Sequence, residues 1–260
     1  MPNARDGGAG HVVTGAEYVE QITARESDRR ARAAFRELVL KLARPGATLF
    51  DFGAGTGLDA RFYAEHGFNV VAYDVDSRMC EFFTAHCRDL IEAGRVRLDC
   101  GGYRDFLGRS SLDVGGSVDL ITSNFAPLNL IADLPELFAK FHALTAPHGA
   151  VLASVLSPYF LGDLKYRWWW RNLLPLVRDG RYFVPGSQAP IFRRRLADFA
   201  VQSAPYFTLA SVFRGLPAPG TRGAPGIDLR RGGRGAWVRL TTCRFMFLLF
   251  ARHSGSSASH

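Results

Sequence analysis

Leu49-Phe50-Asp51-Phe52-Gly53-Ala54-Gly55-Thr56-Gly57 is the stretch from which the rest of this 260-residue chain can be read. An apolar run, Thr48 to Phe52, meets glycine at every second position and then an amphipathic segment, Leu58 to His66. That order predicts a strand, a tight turn and a helix. Glycine at 53, 55 and 57 lets the backbone take positive φ and admits a ligand where a Cβ would block it. The helix behind the turn points its free N–H groups at whatever lies above.

Two ligand classes use such a turn. A dinucleotide fingerprint needs glycine at 58, where this chain has Leu58. It also brings a pyrophosphate close, and the carboxylate of Asp51 would repel it. A ligand carrying an ammonium and a sulfonium favours an acid there. The nonapeptide resembles the first motif of the class I S-adenosylmethionine-dependent methyltransferases, in which an acidic residue stands two positions before G-x-G-x-G. The bland alternative is a βα turn that binds nothing.

Outward from the turn, the chain alternates. Residues 1–13 read as disordered, and Ala16 to Leu42 carries Tyr18, Ile22, Phe35, Leu38 and Leu42 at helical spacing. One or two helices over the cofactor edge are expected there, stopped by Arg44-Pro45-Gly46. A second strand runs from Phe68 to Tyr73 and ends at Asp74; Ser77 is expected to cap a helix to Ala93. Arg95 to Cys100 reads as a third strand, 101–116 as a loop, and Val118 to Ser123 as a fourth strand. Asp133 and Pro135 open a helix ending at Thr145, and Pro147-His148-Gly149 turns into a fifth strand, Ala150 to Leu156.

Strands separated by helices imply a parallel, doubly wound sheet with right-handed crossovers. Beyond 156 the alternation breaks. Ile191 to Ala200 reads as helix, Tyr206 to Phe213 as strand, Arg214 to Gly235 as a Gly/Pro/Arg-rich mobile loop, and Arg244 to Arg252 as a last strand. The expected fold is therefore α/β: a doubly wound, seven-stranded, mostly parallel sheet of the Rossmann-like methyltransferase type. The resemblance implies a closing C-terminal antiparallel hairpin, and an inserted substrate lid is expected. Residues 1–44 would form a helical cap, 45–156 the cofactor-binding core, and 157–260 the lid and the rest of the sheet, all in one structural domain.

The resemblance also implies a site. S-adenosylmethionine would be held by Asp51, Gly53, Ala54, Gly55 and Gly57. Asp74 would take the ribose hydroxyls, although a helix-start acid is its structural alternative. Val75 and Met79 would flank the adenine. Asp99, Cys100 and Gly101 end the third strand where the family reads the adenine edge; Cys100 and Gly101-Gly102 depart from the usual pattern. Asn124 and Phe125 stand in the fourth motif, and Tyr18, with Arg25 as a carboxylate partner, would cover the methionine end. No residue announces itself as catalytic. Tyr103, Asn124, Tyr159, Asp163 and His11 are the rim candidates.

Composition separates the function classes. Residues 1–150 hold 16 Lys and Arg against 20 Asp and Glu, whereas 151–260 hold 16 against 4, so −4 and +12 make up the net +8. Residues 157–235 combine flat apolar walls (Tyr159, Phe160, Tyr166, Trp168, Trp169, Trp170, Tyr182) with arginines suited to anions. Tyr159, Trp169 and Arg171 are the substrate candidates. Three consecutive tryptophans cannot share one helix face, so at least one is exposed or faces a ligand or partner. Arg193-Arg194-Arg195 reads as a solvated helix face.

These features point to methyl transfer onto a small, aromatic or acidic acceptor, with oxygen favoured as nucleophile. An RNA or DNA methyltransferase that tracks phosphates with the basic half is the alternative, as is a non-catalytic binding module. The N/D-P-P-Y/F pattern of amino methyltransferases is missing, which lowers the nucleic-acid reading. Cys80, Cys87, Cys100 and Cys243 show no paired spacing, so no zinc site or disulfide is expected, and a reducing cytoplasm is the expected compartment. The first residues carry no apolar signal core, and Phe245 to Ala251 is far too short for a membrane span, which needs about 20 residues.

Overall fold

Each apolar, β-branched or aromatic run in the first half forms a strand, and each amphipathic run lies against a face of the resulting sheet. The computed structural model describes residues 26–109, 117–158, 160–183, 190–214, 227–228 and 244–253. Helix α1 (Glu26–Leu42) is followed by β1 (Thr48–Phe52), α2 (Leu58–Glu65), β2 (Asn69–Asp74), α3 (Ser77–His86), α4 (Arg88–Glu92) and β3 (Val96–Cys100). Then come α5 (Tyr103–Gly108), β4 (Val118–Ser123), α6 (Leu134–Leu144) and β5 (Thr145–Leu156). The second half gives α7 (Arg167–Arg171), α8 (Leu173–Asp179), β6 (Arg181–Phe183), β7 (Pro190–Phe192), α9 (Leu196–Ser203), β8 (Phe207–Arg214), β9 (Ile227–Asp228) and β10 (Phe245–Arg252).

The strands order as β3-β2-β1-β4-β5-β10-β8, with the two-residue β9 added beyond β8. β1 to β5 pair in parallel, and β10 runs antiparallel to both β5 and β8. This is the expected seven-stranded sheet with its antiparallel closure, plus one short edge strand. A separate hairpin, β6–β7, belongs to the segment inserted after β5.

Successive residues of β1 serve opposite faces, as the strand pleat requires. Leu49 joins Phe35, Tyr63, Phe83 and Phe247 on the face covered by α1, α2 and α3. Phe50 and Phe52 join Phe106, Phe138, Phe141 and Phe250 on the other face, under α5, α6 and α9. The order reverses between β1 and β4, which neighbour each other although β2 and β3 lie between them in sequence. The carboxyl ends of strands at such a switch point open a crevice.

Local chemistry differs from expectation in places. Asp76, not Ser77, is the N-cap of α3, its carboxylate accepting the Arg78 N–H at 2.9 Å. The expected helix to Ala93 is broken at Cys87, where α4 begins. Asp133 does cap α6, accepting from Glu136 N at 3.1 Å. Pro147-His148-Gly149 is absorbed as a register shift inside β5, between its pairings with Val118 and Leu120. Ile191 and Phe192 form part of β7, and the helix starts only at Leu196.

The expectation of no disulfide is corrected. Cys80 and Cys100 are bonded, with Cα atoms 6.2 Å apart. Cys80 lies in the first turn of α3, and β3 pairing sets Cys100 opposite Asp74. Their proximity comes from β2–α3–β3 packing, which a sequence separation of 20 does not reveal. Among the described residues, no helix is long and apolar enough to cross a membrane, and no cluster of His, Cys, Asp and Glu could hold a metal ion.

Candidate active site

A cleft opens at the β1/β4 switch point, lined by Arg32 of α1, Asp51, the turn from Gly53 to Thr56, Asp59, and Asn124 with Phe125 after β4. Asp51 is 2% exposed. One carboxylate oxygen accepts from Thr122 Oγ1 at 2.9 Å, while the other, Oδ2, is buried without a partner. Burial first, and then the charge of Asp59, push its pKa up to about 7. An orphaned acceptor of this kind carries a cost unless a donor meets it. A ligand ammonium would be such a donor, and the residues present fit one.

Gly53 and Gly55 explain the shape of the turn. Gly53 has φ +75°, and a Cβ there would fall 2.6 Å from Pro127 Cγ, so both conformation and space demand glycine. Gly55 has φ +56°, yet a Cβ there would meet no protein atom within 4 Å, because the residue lines the cleft itself. Its N–H donates to Asp74 Oδ2 at 2.7 Å. Asp74 Oδ1 accepts the Asp76 N–H at 2.9 Å, so the β2 carboxylate is already aligned by the turn it faces. A carboxylate has about four acceptor positions, which leaves capacity for ribose hydroxyls. Val75 follows, 61% exposed on the rim, and Met79 is half-buried on α3.

The end of β3 is more committed to structure than expected. Asp99 is ion-paired with Arg109, although its Oδ2 is buried without a hydrogen-bond partner. Cys100 is in the disulfide. Gly101 donates to Asp74 O at 3.3 Å and accepts from Tyr73 Oη at 2.9 Å, which ties this edge to the end of β2.

Asn124, 8% exposed, donates to Asp59 Oδ2 at 3.0 Å and accepts the Phe125 N–H at 2.9 Å. Phe125 and Ala126 both take left-handed backbone, φ 60° and 70°, a conformation that non-glycine residues adopt at a cost. The strain carries the chain sharply from β4 over the cleft, and Phe125 lies under the Arg32 guanidinium, 4.4 Å from ring centroid to Cζ.

Three further residues complete the site. Asp59, 5% exposed, is ion-paired with both Arg32 and Arg36. Burial pushes its pKa up, but the two guanidinium groups outweigh it and hold the carboxyl below the ordinary value. The sequence marks only that Arg32 and Arg36 stand four apart on α1; that they meet Asp59 in the first turn of α2 is set by packing. Tyr18, Arg25 and His11 lie outside the described residues; among the described residues that line the cleft, Arg32 is the one cation.

The rim candidates separate. Asn124 lines the cleft. Tyr103 packs against the core beneath α5, its buried hydroxyl unpartnered and its pKa raised, burial being the main cause. Asp163 is 4% exposed and ion-paired with Arg193. Tyr159 lies outside the described residues, as do most of residues 214–235. The expected solvated face is also corrected: Arg193 and Arg194 are buried, and only Arg195 is exposed. Arg194 donates to the carbonyls of Leu128, Ile131 and Ala132, and Arg193 to that of Ser157. Their place in the loop between β7 and α9, not on a helix, buries them against Ser157 and the segment after β4. Trp169 is half-buried against Trp170, and Arg171 is exposed.

Residues 24–188, more than half of the chain, match the methyltransferase domain family. The chain is 33% identical over 119 residues to a ribosomal protein L11 methyltransferase of Pelotomaculum thermopropionicum, covering 45% of this chain and 35% of that one. It is 27% identical over 135 residues to a malonyl-[acyl-carrier protein] O-methyltransferase of Pectobacterium atrosepticum, covering 51% and 48%. The matches thus span between a third and a half of these relatives. In structure it is similar to a magnesium protoporphyrin IX methyltransferase of Synechocystis, solved with bound SAH, at a TM-score of 0.56 and 16% identity over 95% of this chain and 90% of that one.

Proposed function

The chain belongs to the methyltransferase domain family, with S-adenosylmethionine as its methyl donor, and on that premise we propose that it methylates a small acidic or aromatic molecule at oxygen. The observation that carries the donor-binding part of the reading is the buried, unpartnered Oδ2 of Asp51 in a cleft also lined by Arg32, which pairs with Asp59. An acid facing a cation complements an amino-acid zwitterion and repels a pyrophosphate on the acid's side.

The methyl donor supplies an electrophilic carbon activated by the neighbouring sulfonium. The chain's own residues hold and orient. Asp51 takes the ammonium, Arg32 the carboxylate, Asp74 the ribose, and Val75 with Met79 the adenine faces; Asp99 and Gly101 read its edge. Phe125 and Asn124 wall the reacting end, where exclusion of water strengthens alignment. Among the described residues that line the cleft there is no histidine, lysine or tyrosine. A carboxylic acid is ionised at neutral pH and needs no base, which favours an acidic acceptor. The Pectobacterium relative, an O-methyltransferase by name, supports the choice of oxygen. Tyr159, Trp169 and Arg171 of the lid, 157–190, would contribute to acceptor recognition.

Labelled methyl donor incubated with panels of carboxylic acids, phenols, amines and bulk RNA tests the reading. Label in a small acid, stable to neutral buffer and released by base as an ester would be, is expected. Label only in amines or RNA removes it. Calorimetry with S-adenosylhomocysteine and NAD tests the premise separately, the former alone being expected to bind.

A further inference from the structure

Seven of the twelve exposed large hydrophobic residues in the described structure fall within the 23 positions from Leu161 to Phe183. Trp170, Leu174 and Val177 stand 59%, 75% and 70% exposed. Their spacing, i, i+4 and i+7, puts them on one face of the nearly continuous α7–α8 pair, joined by the Leu176 N–H bond to Asn172 O at 2.9 Å. Leu161, 59% exposed, adds to the apolar surface of the lid.

This face does not turn inward, because the other side of the lid is already anchored. Trp168 stacks on Tyr182 with centroids 4.8 Å apart, and the buried Arg193–Asp163 pair lies against both rings. Asn172 accepts the Phe183 N–H at 3.2 Å, fixing α8 to β6. The outward apolar stripe is therefore a property of a braced element, not of a loose end.

Charge identifies what it meets. Lys165, Arg167, Arg171, Arg178 and Arg181 are exposed, and Asp179 is the only exposed acid described in the lid; it pairs with Arg181 at 3.2 Å and Arg178 at 3.6 Å. Arg167 and Arg171 lie one turn apart beside the Trp170 face. Aliphatic residues and a tryptophan flanked by cations suit a plane with apolar depth and an anionic surface. Leucine and valine offer no stacking platform for bases, and with Asp179 the one exposed acid among the described lid residues, Lys165, Arg167 and Arg171 stay available to phosphate headgroups. We propose that the α7–α8 face of the lid seats on an anionic phospholipid bilayer, with Trp170, Leu174 and Val177 entering the headgroup–acyl boundary.

The full chain is sedimented with vesicles of phosphatidylcholine alone and with added phosphatidylglycerol. Binding is expected only to the anionic vesicles, with a blue shift of tryptophan fluorescence and weakening as salt rises. Leu174→Glu with Val177→Glu should lower vesicle binding at least about tenfold. Arg167→Gln with Arg178→Gln should weaken it and flatten its salt dependence. S-adenosylhomocysteine binding of the Leu174/Val177 variant, measured by calorimetry, should match the parent and shows that the fold is kept. Equal binding to both vesicle types, or to parent and variant, overturns the proposal. So does concentration-dependent dimerisation abolished by the Leu174/Val177 variant, which would assign the face to a second copy of the chain.

Discussion

Asp51 concentrates the site's electrostatics in one side chain. Its pKa is about 7 in the folded chain against an ordinary value of 3.8. Between those values the folded state keeps a proton that the unfolded state has lost. Stability of the ligand-free protein from this group therefore falls as pH rises through that window, and levels off above about 7. Binding of an ammonium selects the ionised form, so ligand affinity should climb by up to about tenfold per pH unit below 7 and then flatten. Calorimetric titration of S-adenosylhomocysteine across this range is the check, and Asp51→Asn should remove the slope as well as lower affinity. An unchanged slope in that variant would show that another group titrates. Asp74 acts differently, through the hydrogen bonds that its two carboxyl oxygens accept. Asp74→Ala should weaken the same ligand by roughly 1.5–3 kcal/mol, the scale of lost charge-assisted bonds. Equal binding by that variant would take the ribose role from it.

At the scale of elements, the segment inserted after β5 is held together by the buried Asp163–Arg193 pair and tied to the end of β5 where Arg193 donates to the Ser157 carbonyl. Asp163→Ala leaves the Arg193 guanidinium buried without its partner, a cost of about 3–5 kcal/mol. Opening the lid relieves that cost without disturbing β1 or β4. Hydrogen exchange should therefore accelerate at amides of α7, α8 and β6 and stay unchanged at Leu49 to Phe52. Acceleration throughout would mean that lid and sheet unfold together. These elements also mark what the sequence could disclose. Asp51, the three glycines and Asp74 were legible because a strand, a turn and the next strand's end place them by local order alone. Asp59 with Arg32 and Arg36, Cys80 with Cys100, and Asp163 with Arg193 are pairs made by packing between elements distant in sequence. Nothing local distinguishes Arg193 from a solvated arginine until β7 brings it over Ser157. The same holds for Trp170: the triplet implied that one ring would be left over, and only the bracing of Trp168 by Tyr182 decides which.

Over the whole molecule, the uneven charge distribution separates two kinds of acceptor. Net charges of −4 on residues 1–150 and +12 on 151–260 bias anions toward the second half whatever their identity. A small acid engages one or two cations at close range, and its apparent KM should change little between about 50 and 200 mM salt, since short-range pairs are screened least. A nucleic acid contacted at Z phosphates would lose affinity with a log–log slope near −0.9Z for duplex or −0.7Z for single strands. Weak RNA binding that vanishes toward physiological ionic strength is therefore expected, alongside methylation of a small acceptor that persists. Trp169→Ala or Arg171→Ala should raise the acceptor's KM while leaving donor binding within about 0.5 kcal/mol, because the residues proposed for donor and acceptor lie in different stretches of chain. The two salt series, run on one preparation with labelled donor, discriminate directly. Methyl groups found in RNA at about 150 mM salt, and in none of the small acids, would assign the basic half to a polyanion and end the small-acceptor reading.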